Sequence, residues 1–410
     1  MGFTGAQPWL SHERAAPCFA AILPWTSDGV ELLSQNPEPA PNASAVGVVT
    51  ETLAGEKRVA LVPDEVAKLT GRGLGVIVQA GAGDRAAFRD EQYGAAGASL
   101  VKSTNEVLAA ADVLTVVRYP SNRDQLELLK AGSVVVGLLD PFGNREFLES
   151  LGRREITAFA MEAIPRITRA QSMDALSSMS TVAGYRAVLL AAVAAKRMFP
   201  MLITAAGTQP PCRVLVLGAG VAGLQALATA RRLGAVTQAF DTRPEVREQV
   251  QSVGATFIEM PELEEEQTAA EGGYAKEMSA EFYRREQDAI RQAVSAADAV
   301  ITTALIPGRP APVLITAEMA RSMKPGSVIV DLAAEQGGNC ELTQVGETVE
   351  DSGVTILGTR NLASELATQA SQMYSRNVFS FLELLFNEAR MELNLEDEIL
   401  RAACVTRQEP

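Results

Sequence analysis

The chain has 410 residues, 47% hydrophobic and 21% charged, a globular composition too long for one ordinary core and suited to two domains. Its 50 acidic and 36 basic side chains leave a formal net charge of −14. That balance argues against binding to nucleic acid or to an anionic membrane, since both need a basic face. The most apolar stretch, residues 187–207, is interrupted by Lys196, Arg197 and Pro200, so it reads as a buried helix and not as a membrane insertion. Cys18, Cys212, Cys340 and Cys404 lie far apart with no C-x-x-C pair, which indicates neither a disulfide framework nor a zinc site and fits a reducing cytoplasm.

Residues 1–45 differ in character from the rest: rich in Pro, Ser and Asn, they hold both tryptophans, Trp9 and Trp25, and the single histidine, His12. No charged segment leads into a clean apolar run, so a secretory signal is not expected, and the stretch reads as a disordered extension or as the result of a start codon placed too early. From Val46 the pattern becomes regular. Strand GVV is followed by a helix over 58–73 and a strand at 76–83. Then come a helix at 105–111, a strand at 112–120, a helix at 124–130, a strand at 133–139, a helix near 144–151 and a strand at 156–161. Short apolar strands alternating with helical segments predict a parallel sheet covered on both faces. Residues 177–201 read as a helix crossing to a second domain.

That second domain opens on VLVLGAGVAGLQA (214–226), where an apolar run meets Gly218, Gly220 and Gly223 in G-x-G-x-x-G spacing and a helix-forming segment follows. This is the layout of a dinucleotide-binding βαβ unit. Gly218 permits the tight turn, Gly220 lets backbone approach a pyrophosphate, and Gly223 lets helix and strand pack closely. The pyrophosphate would rest on the free N–H groups and positive end of the helix, with Ala219 and Val221 at the turn. Asp241, 23 residues after Gly218, is placed to accept hydrogen bonds from the adenosine ribose and to repel a 2′-phosphate, favouring NAD(H). Thr242 and Arg243 follow it, and an arginine at Arg243 or Arg247 could instead meet a 2′-phosphate.

Strands are expected at 214–217, 236–240, 256–259, 299–302, 327–331 and 354–357, giving a full doubly wound sheet with its ligand crevice at the strand carboxyl ends. ALIPG (304–308) ends one of these strands, so Ala304 and Leu305 are placed to flank a ribose, although a plain turn would read the same. Residues 361–386 read as a helix returning to the first domain. The expectation is therefore an α/β protein of two Rossmann-like doubly wound parallel sheets with a cleft between them. Residues 46–176 with 359–410 would form one domain and 177–358 the NAD(H)-binding one.

At the junction lies PRITRAQSMDALSS (165–178), which by spacing alone is a solvated interdomain turn. This segment closely resembles the NAD(H)-binding component of proton-translocating NAD(P)+ transhydrogenase, in the alanine dehydrogenase/transhydrogenase superfamily. The resemblance extends from about Val46 to Arg407 and rests also on EKRVALVPDEV, the glycine motif, GGYAKEMS, ITTALIPGRPAPVLIT, DLAAEQGGNCEL and CVTR. It implies that Arg166, Asp174 and Ser177 hold the nicotinamide carboxamide and its ribose. Gln171 would reach toward NADP(H) bound by a partner subunit. It further implies that GGYAKEMS is a mobile loop closing over nucleotide with Tyr274 at the tip; from the residues alone Gly272 and Gly273 give freedom, and a plain exposed loop reads the same.

The resemblance also implies a homodimer docked at the cytoplasmic face on separate NADP(H)-binding and membrane-spanning subunits, with proton translocation performed by the latter. Hydride transfer between nicotinamides leaves no proton for a side chain to place, which fits a globular region without histidine. Orientation is what is required, and Arg166, Gln171 and Asp174 would supply it. Alanine dehydrogenase is the related alternative, but it uses a lysine and a histidine in its first domain where this chain offers Arg118 and Asp140. A non-catalytic NAD-binding module is a third reading, which would leave the Arg166, Gln171 and Asp174 set unexplained.

Overall fold

The computed structural model describes residues 43–121, 123–259, 280–306 and 308–406. Its N-terminal half runs β1 (Ala45–Val48), α1 (Pro63–Gly71), β2 (Gly75–Gln79), α2 (Asp90–Ala95), β3 (Ser99–Val101) and α3 (Thr104–Ala110). It continues with β4 (Val113–Arg118), β5 (Val134–Leu138), α4 (Arg145–Arg153) and β6 (Thr157–Ala160). These strands form a parallel sheet in the order β3-β2-β1-β4-β5-β6. Helix α5 (Ala175–Ala194) and the hairpin β7 (Leu202–Thr204) and β8 (Gly207–Gln209) lead onward.

The second half comprises β9 (Arg213–Leu217), α6 (Val221–Arg232), β10 (Val236–Phe240), α7 (Arg247–Ser252), β11 (Thr256–Phe257) and α8 (Ala280–Ala296). Then follow β12 (Ala299–Thr302), α9 (Ala317–Arg321), β13 (Val328–Asp331), β14 (Thr348–Asp351) and β15 (Val354–Gly358). The order is β11-β10-β9-β12-β13-β15-β14, parallel except for the last pair. In both sheets the strand order reverses beside the first strand, between β1 and β4 and between β9 and β12, which is where doubly wound folds open a crevice. The α/β class with two Rossmann-like sheets is as expected. Helices α10 (Ala367–Leu382) and α11 (Glu398–Ala403) close the described chain.

Several elements differ from expectation for local reasons. Residues 58–62 are not helical: Pro63 sits at the first helical position, which pushes Val62 into an extended conformation (ψ 162°). The extended segment is held to α10, with the N–H groups of Val59 and Val62 donating to the Ser371 and Ser375 hydroxyls at 3.0 and 2.9 Å. Residues 123–128 form a 3₁₀ helix instead of an α-helix. Helix α5 stops at Ala194, because Ala195 turns extended and Lys196 N–H is drawn to the Gly326 carbonyl (3.2 Å). The unforeseen β14 pairs antiparallel with β15 through Ser352 and Gly353, both at positive φ, the conformation tight hairpins require. Edge strand β3 is mostly exposed and carries no alternation to reveal it.

Helix α10 returns to the first sheet. Phe381 meets Phe159 edge to face with ring centroids 5.3 Å apart, and the buried Tyr374 hydroxyl donates to the Val116 carbonyl at 2.8 Å. Helix α5 belongs to both cores: Ala175, Met179 and Val182 are buried beside the first sheet, Ala187, Val188 and Ala191 beside the second. By length and composition α5 is the helix, among the described residues, that could cross a bilayer, but its buried residues face these two sheets.

Where α5 crosses α6 there is no space for a side chain: a Cβ on Gly184 would stand 2.1 Å from the Ala222 carbonyl oxygen. Gly184→Ala should therefore destabilise the protein by about 1–3 kcal/mol in denaturant unfolding. Gly94→Ala, in α2 with nothing within 4 Å of its new methyl, should be neutral or stabilising by up to about 1 kcal/mol. Equal effects of the two substitutions would contradict the crossing.

Candidate dinucleotide site

The glycine turn lies between β9 and α6. Gly218 has φ +95°, a left-handed conformation a side chain would strain, and a Cβ there would also lie 2.8 Å from Thr303 Oγ1. Gly223 permits close packing, since its Cβ would fall 1.9 Å from the Gly218 carbonyl oxygen. Gly220 is different: a Cβ there would meet no protein atom within 4 Å, so protein packing does not demand this glycine and approach from outside is open. No side chain caps α6, which leaves its first-turn N–H groups directed at that opening. Ala219 is buried and Val221 exposed. These features fit a dinucleotide pyrophosphate.

Asp241, at the end of β10, is 9% exposed. Its Oδ2 accepts from Ala219 N–H (2.7 Å) and Arg243 Nη2 (2.9 Å). Its Oδ1 accepts from Arg243 N–H and Nε, both at 2.9 Å. Both arginines considered for a 2′-phosphate thus meet acids, because Arg247 pairs with Glu259. Thr242 is half-buried between Asp241 and Arg243.

The neighbouring wall is built by Asp331 and Asn339, to which the sequence reading gives no role. Asp331, fully buried at the end of β13, accepts from Thr302 Oγ1, Ala333 N–H, Asn339 N–H, Cys340 N–H and Thr343 Oγ1 at 2.7–3.2 Å. Asn339, so placed, accepts from Ala304 N–H (3.0 Å) and donates to the Ala304 and Pro312 carbonyls (2.9 and 2.8 Å). Thr303 Oγ1 donates to the Gly218 carbonyl at 2.9 Å. The 304–306 segment is thereby fixed beside the glycine turn with Leu305 exposed. The DLAAEQGGNC string was the available signal.

Residues 165–178 form a short 3₁₀ turn, Thr168–Met173, running into α5. Asp174 caps α5, accepting from Ser177 N–H (2.8 Å) and Ser177 Oγ (2.6 Å). Arg166 and Gln171 are exposed. Asn377 of α10 donates to the Ser172 carbonyl (2.8 Å), and Arg169 binds Asp397 ahead of α11 through both carboxylate oxygens (2.8 and 3.1 Å). These supports come from chain more than 200 residues away and were not foreseen. Of the expected residues, the structure groups Gly218 to Gly223, Asp241 to Arg243, and Ala304 with Leu305 at the edge of the second sheet. Arg166, Gln171, Asp174 and Ser177 gather at the head of α5. Gly273 and Tyr274 lie outside the described residues.

A polar seam links the sheets. Arg58 clasps Glu56 through Nε and Nη2 (2.7 and 2.6 Å), both buried, and Asn361 bridges them while its N–H donates to Glu335 (3.1 Å). Burial raises the Glu56 carboxyl, but hydrogen bonding and charge from Arg58 outweigh it and hold the group below its ordinary value. Glu335 in turn faces Arg118 at 3.6 Å. Glu162, after β6, accepts from Asp140 N–H (2.6 Å) with one oxygen, and burial pushes its carboxyl up. Its other carboxylate oxygen is buried without a hydrogen-bond partner.

Fold and site together define a dinucleotide-binding protein with two doubly wound sheets. The alanine dehydrogenase/PNT N-terminal domain matches residues 47–183 and the C-terminal domain of the same family residues 187–409, so the chain belongs to that family. Within it the chain is similar to an NAD(P) transhydrogenase alpha subunit of Rhodospirillum rubrum, 47% identical over 368 residues, covering 88% of this chain and 96% of the relative. The crystal structure of transhydrogenase from Sinorhizobium meliloti superposes with a TM-score of 0.79 at 44% identity, over 88% of this chain and 98% of that one. A solved L-alanine dehydrogenase follows at 0.72 and 27%, over 88% and 94%. The chain is an oxidoreductase subunit of the transhydrogenase alpha branch.

Glu51, after β1, accepts from Val117 and Arg118 N–H groups (2.6 and 3.2 Å). Burial pushes its carboxyl up to about 8, with the Glu56 charge adding, against those N–H groups and Arg58. In the unfolded chain it ionises near 4.5. Between these values the folded state binds the extra proton, so rising pH removes stability across that window. Glu51→Gln, which imitates the protonated form, should gain stability over the parent progressively from about pH 5 to about pH 8, approaching tenfold in the folding constant per unit. Parallel pH–stability curves for the two proteins would contradict the buried proton.

Proposed function

We infer that this chain is the NAD(H)-binding subunit of a proton-translocating transhydrogenase, and that it presents NADH to NADP+ held by a partner subunit. The observation that carries the reading is the relation of the 165–178 turn to the glycine turn. Helix α6 begins against Gly184, and Ser177 lies seven residues back along α5, about 10 Å at 1.5 Å per residue. One extended dinucleotide can then lie with its pyrophosphate at the head of α6 and its nicotinamide at the head of α5.

Bound NADH supplies the hydride. The chain's own residues bind and orient: the α6 N–H groups take the pyrophosphate, Asp241 the adenosine ribose, and Ala304 and Leu305 flank the nucleotide. Arg166, Asp174 and Ser177 hold the carboxamide side, and the exposed Gln171 reaches outward to the partner's nucleotide. No side-chain acid or base is required, and among the described residues there is no histidine. In the alanine dehydrogenase reading a lysine and a histidine would be needed, whereas Arg118 here is turned to Glu335 and Asp140 shapes a turn, its Oδ1 accepting from Gly143 N–H at 3.2 Å.

The proposed domains are 46–176 with 359–410, and 177–358, sharing α5 across the boundary. Partners in this reading are the NADP(H)-binding and membrane-spanning subunits and a second copy of the chain, assembled at the cytoplasmic face of the membrane. The membrane subunit carries the proton step.

The test mixes the purified chain with an NADP(H)-binding transhydrogenase component and follows hydride exchange between NADH and an NADP+ analogue. Exchange is expected, while pyruvate, ammonia and NADH given to the chain alone should produce no turnover; the reverse result would assign amino-acid chemistry. Gln171→Asn should slow exchange by at least about tenfold, the scale of a lost orienting contact, with NADH affinity within about twofold of the parent. A large loss of NADH binding would move Gln171 to the chain's own nucleotide.

A further inference from the structure

The seat assigned to the adenosine ribose is already filled by a group of the chain itself. A carboxylate offers about four lone-pair positions, and in Asp241 four donors take them: Ala219 N–H, Arg243 N–H, Arg243 Nε and Arg243 Nη2. The two guanidinium bonds form a parallel fork, one to each oxygen, both 2.9 Å. A ribose diol bound by this carboxylate would use the same two outward-facing oxygens with the same paired geometry. Guanidinium and diol cannot be there together.

The pair is also well shielded, with the Asp241 side chain 6% and the Arg243 side chain 17% exposed. A carboxylate left unpaired at such a site would be costly, so Arg243 satisfies it whenever no nucleotide does. We propose that Arg243 is an internal competitor for the ribose seat, which must swing off Asp241 before a dinucleotide can bind. Nucleotide affinity is then reduced by the fraction of molecules in which the seat is clear. The displaced guanidinium remains next to the ribose, where it softens the repulsion that Asp241 alone would exert on a 2′-phosphate. Arg243 thus weakens NADH binding and narrows the preference for NADH over NADPH, through one side chain.

The inference rests on the NAD(H) reading of the second sheet, and the experiment separates the two. NADH and NADPH are titrated into the full chain and into Arg243→Ala and Arg243→Lys, following dihydronicotinamide fluorescence, with thermal unfolding as a check that each variant is folded. Arg243→Ala should bind NADH roughly three- to tenfold more tightly than the parent and NADPH no more tightly. Arg243→Lys, which cannot form the fork, should fall between. Equal or weaker NADH binding by a folded Arg243→Ala, with the parent binding normally, overturns the competitor and makes Arg243 a support for Asp241. Failure of the parent and both variants to bind NADH overturns the site reading itself.

Discussion

Everything in this molecule that concerns two sites at once depends on the crossing of α5 and α6. Gly184 brings the backbones together against the Ala222 carbonyl, at a distance no side chain would allow. The crossing sets the head of α6, with its open first-turn N–H groups, at a defined height along α5. Because α5 is buried in one core by its first half and in the other by its second, that height also fixes the two sheets relative to each other. The glycine turn, at the head of α6, and the 165–178 turn, at the head of α5, are consequently tied to the same helix crossing.

Around this frame, hydrogen-bonded carboxylates serve as organisers of loops. Asp331 gathers five donors and so places Asn339, which holds both backbone groups of Ala304. Asp174 caps α5 and fixes Ser177, while Glu56 is clasped by Arg58 and Asn361. A carboxylate so fully bonded is a poor proton carrier but a good structural anchor. That distribution suits the proposed transfer of a hydride between two bound rings, in which the protein's contribution would be position.

The glycine motif was legible because its requirements are local. Gly218 needs positive φ, and Gly223 must clear the carbonyl of that same Gly218 a few residues back, so spacing alone exposes both. Most strands were legible for the same reason, as buried parallel strands are short continuous apolar runs. Edge strands β3 and β14 were not, since neither buries a side chain: β3 is mostly exposed, and β14 alternates only between exposed and half-buried positions. Residues 58–62 carry a helix-like apolarity that misleads, because their backbone is satisfied by Ser371 and Ser375, more than 300 residues ahead.

The sequence by itself determined that this is a two-sheet α/β protein with a dinucleotide turn, an acid after the second strand, and a polar segment between its halves. Those properties follow from periodicity, glycine spacing and local turn chemistry, which operate within a few residues. Only the tertiary structure decided that Asp241 is occupied by Arg243, that Asn339 governs Ala304, that Asn377 and Asp397 brace the polar segment, and that one helix serves both cores. Each of those depends on hydrogen-bond geometry or close packing between segments distant along the chain or on a side chain's choice of direction, and neither is written in the spacing of residues.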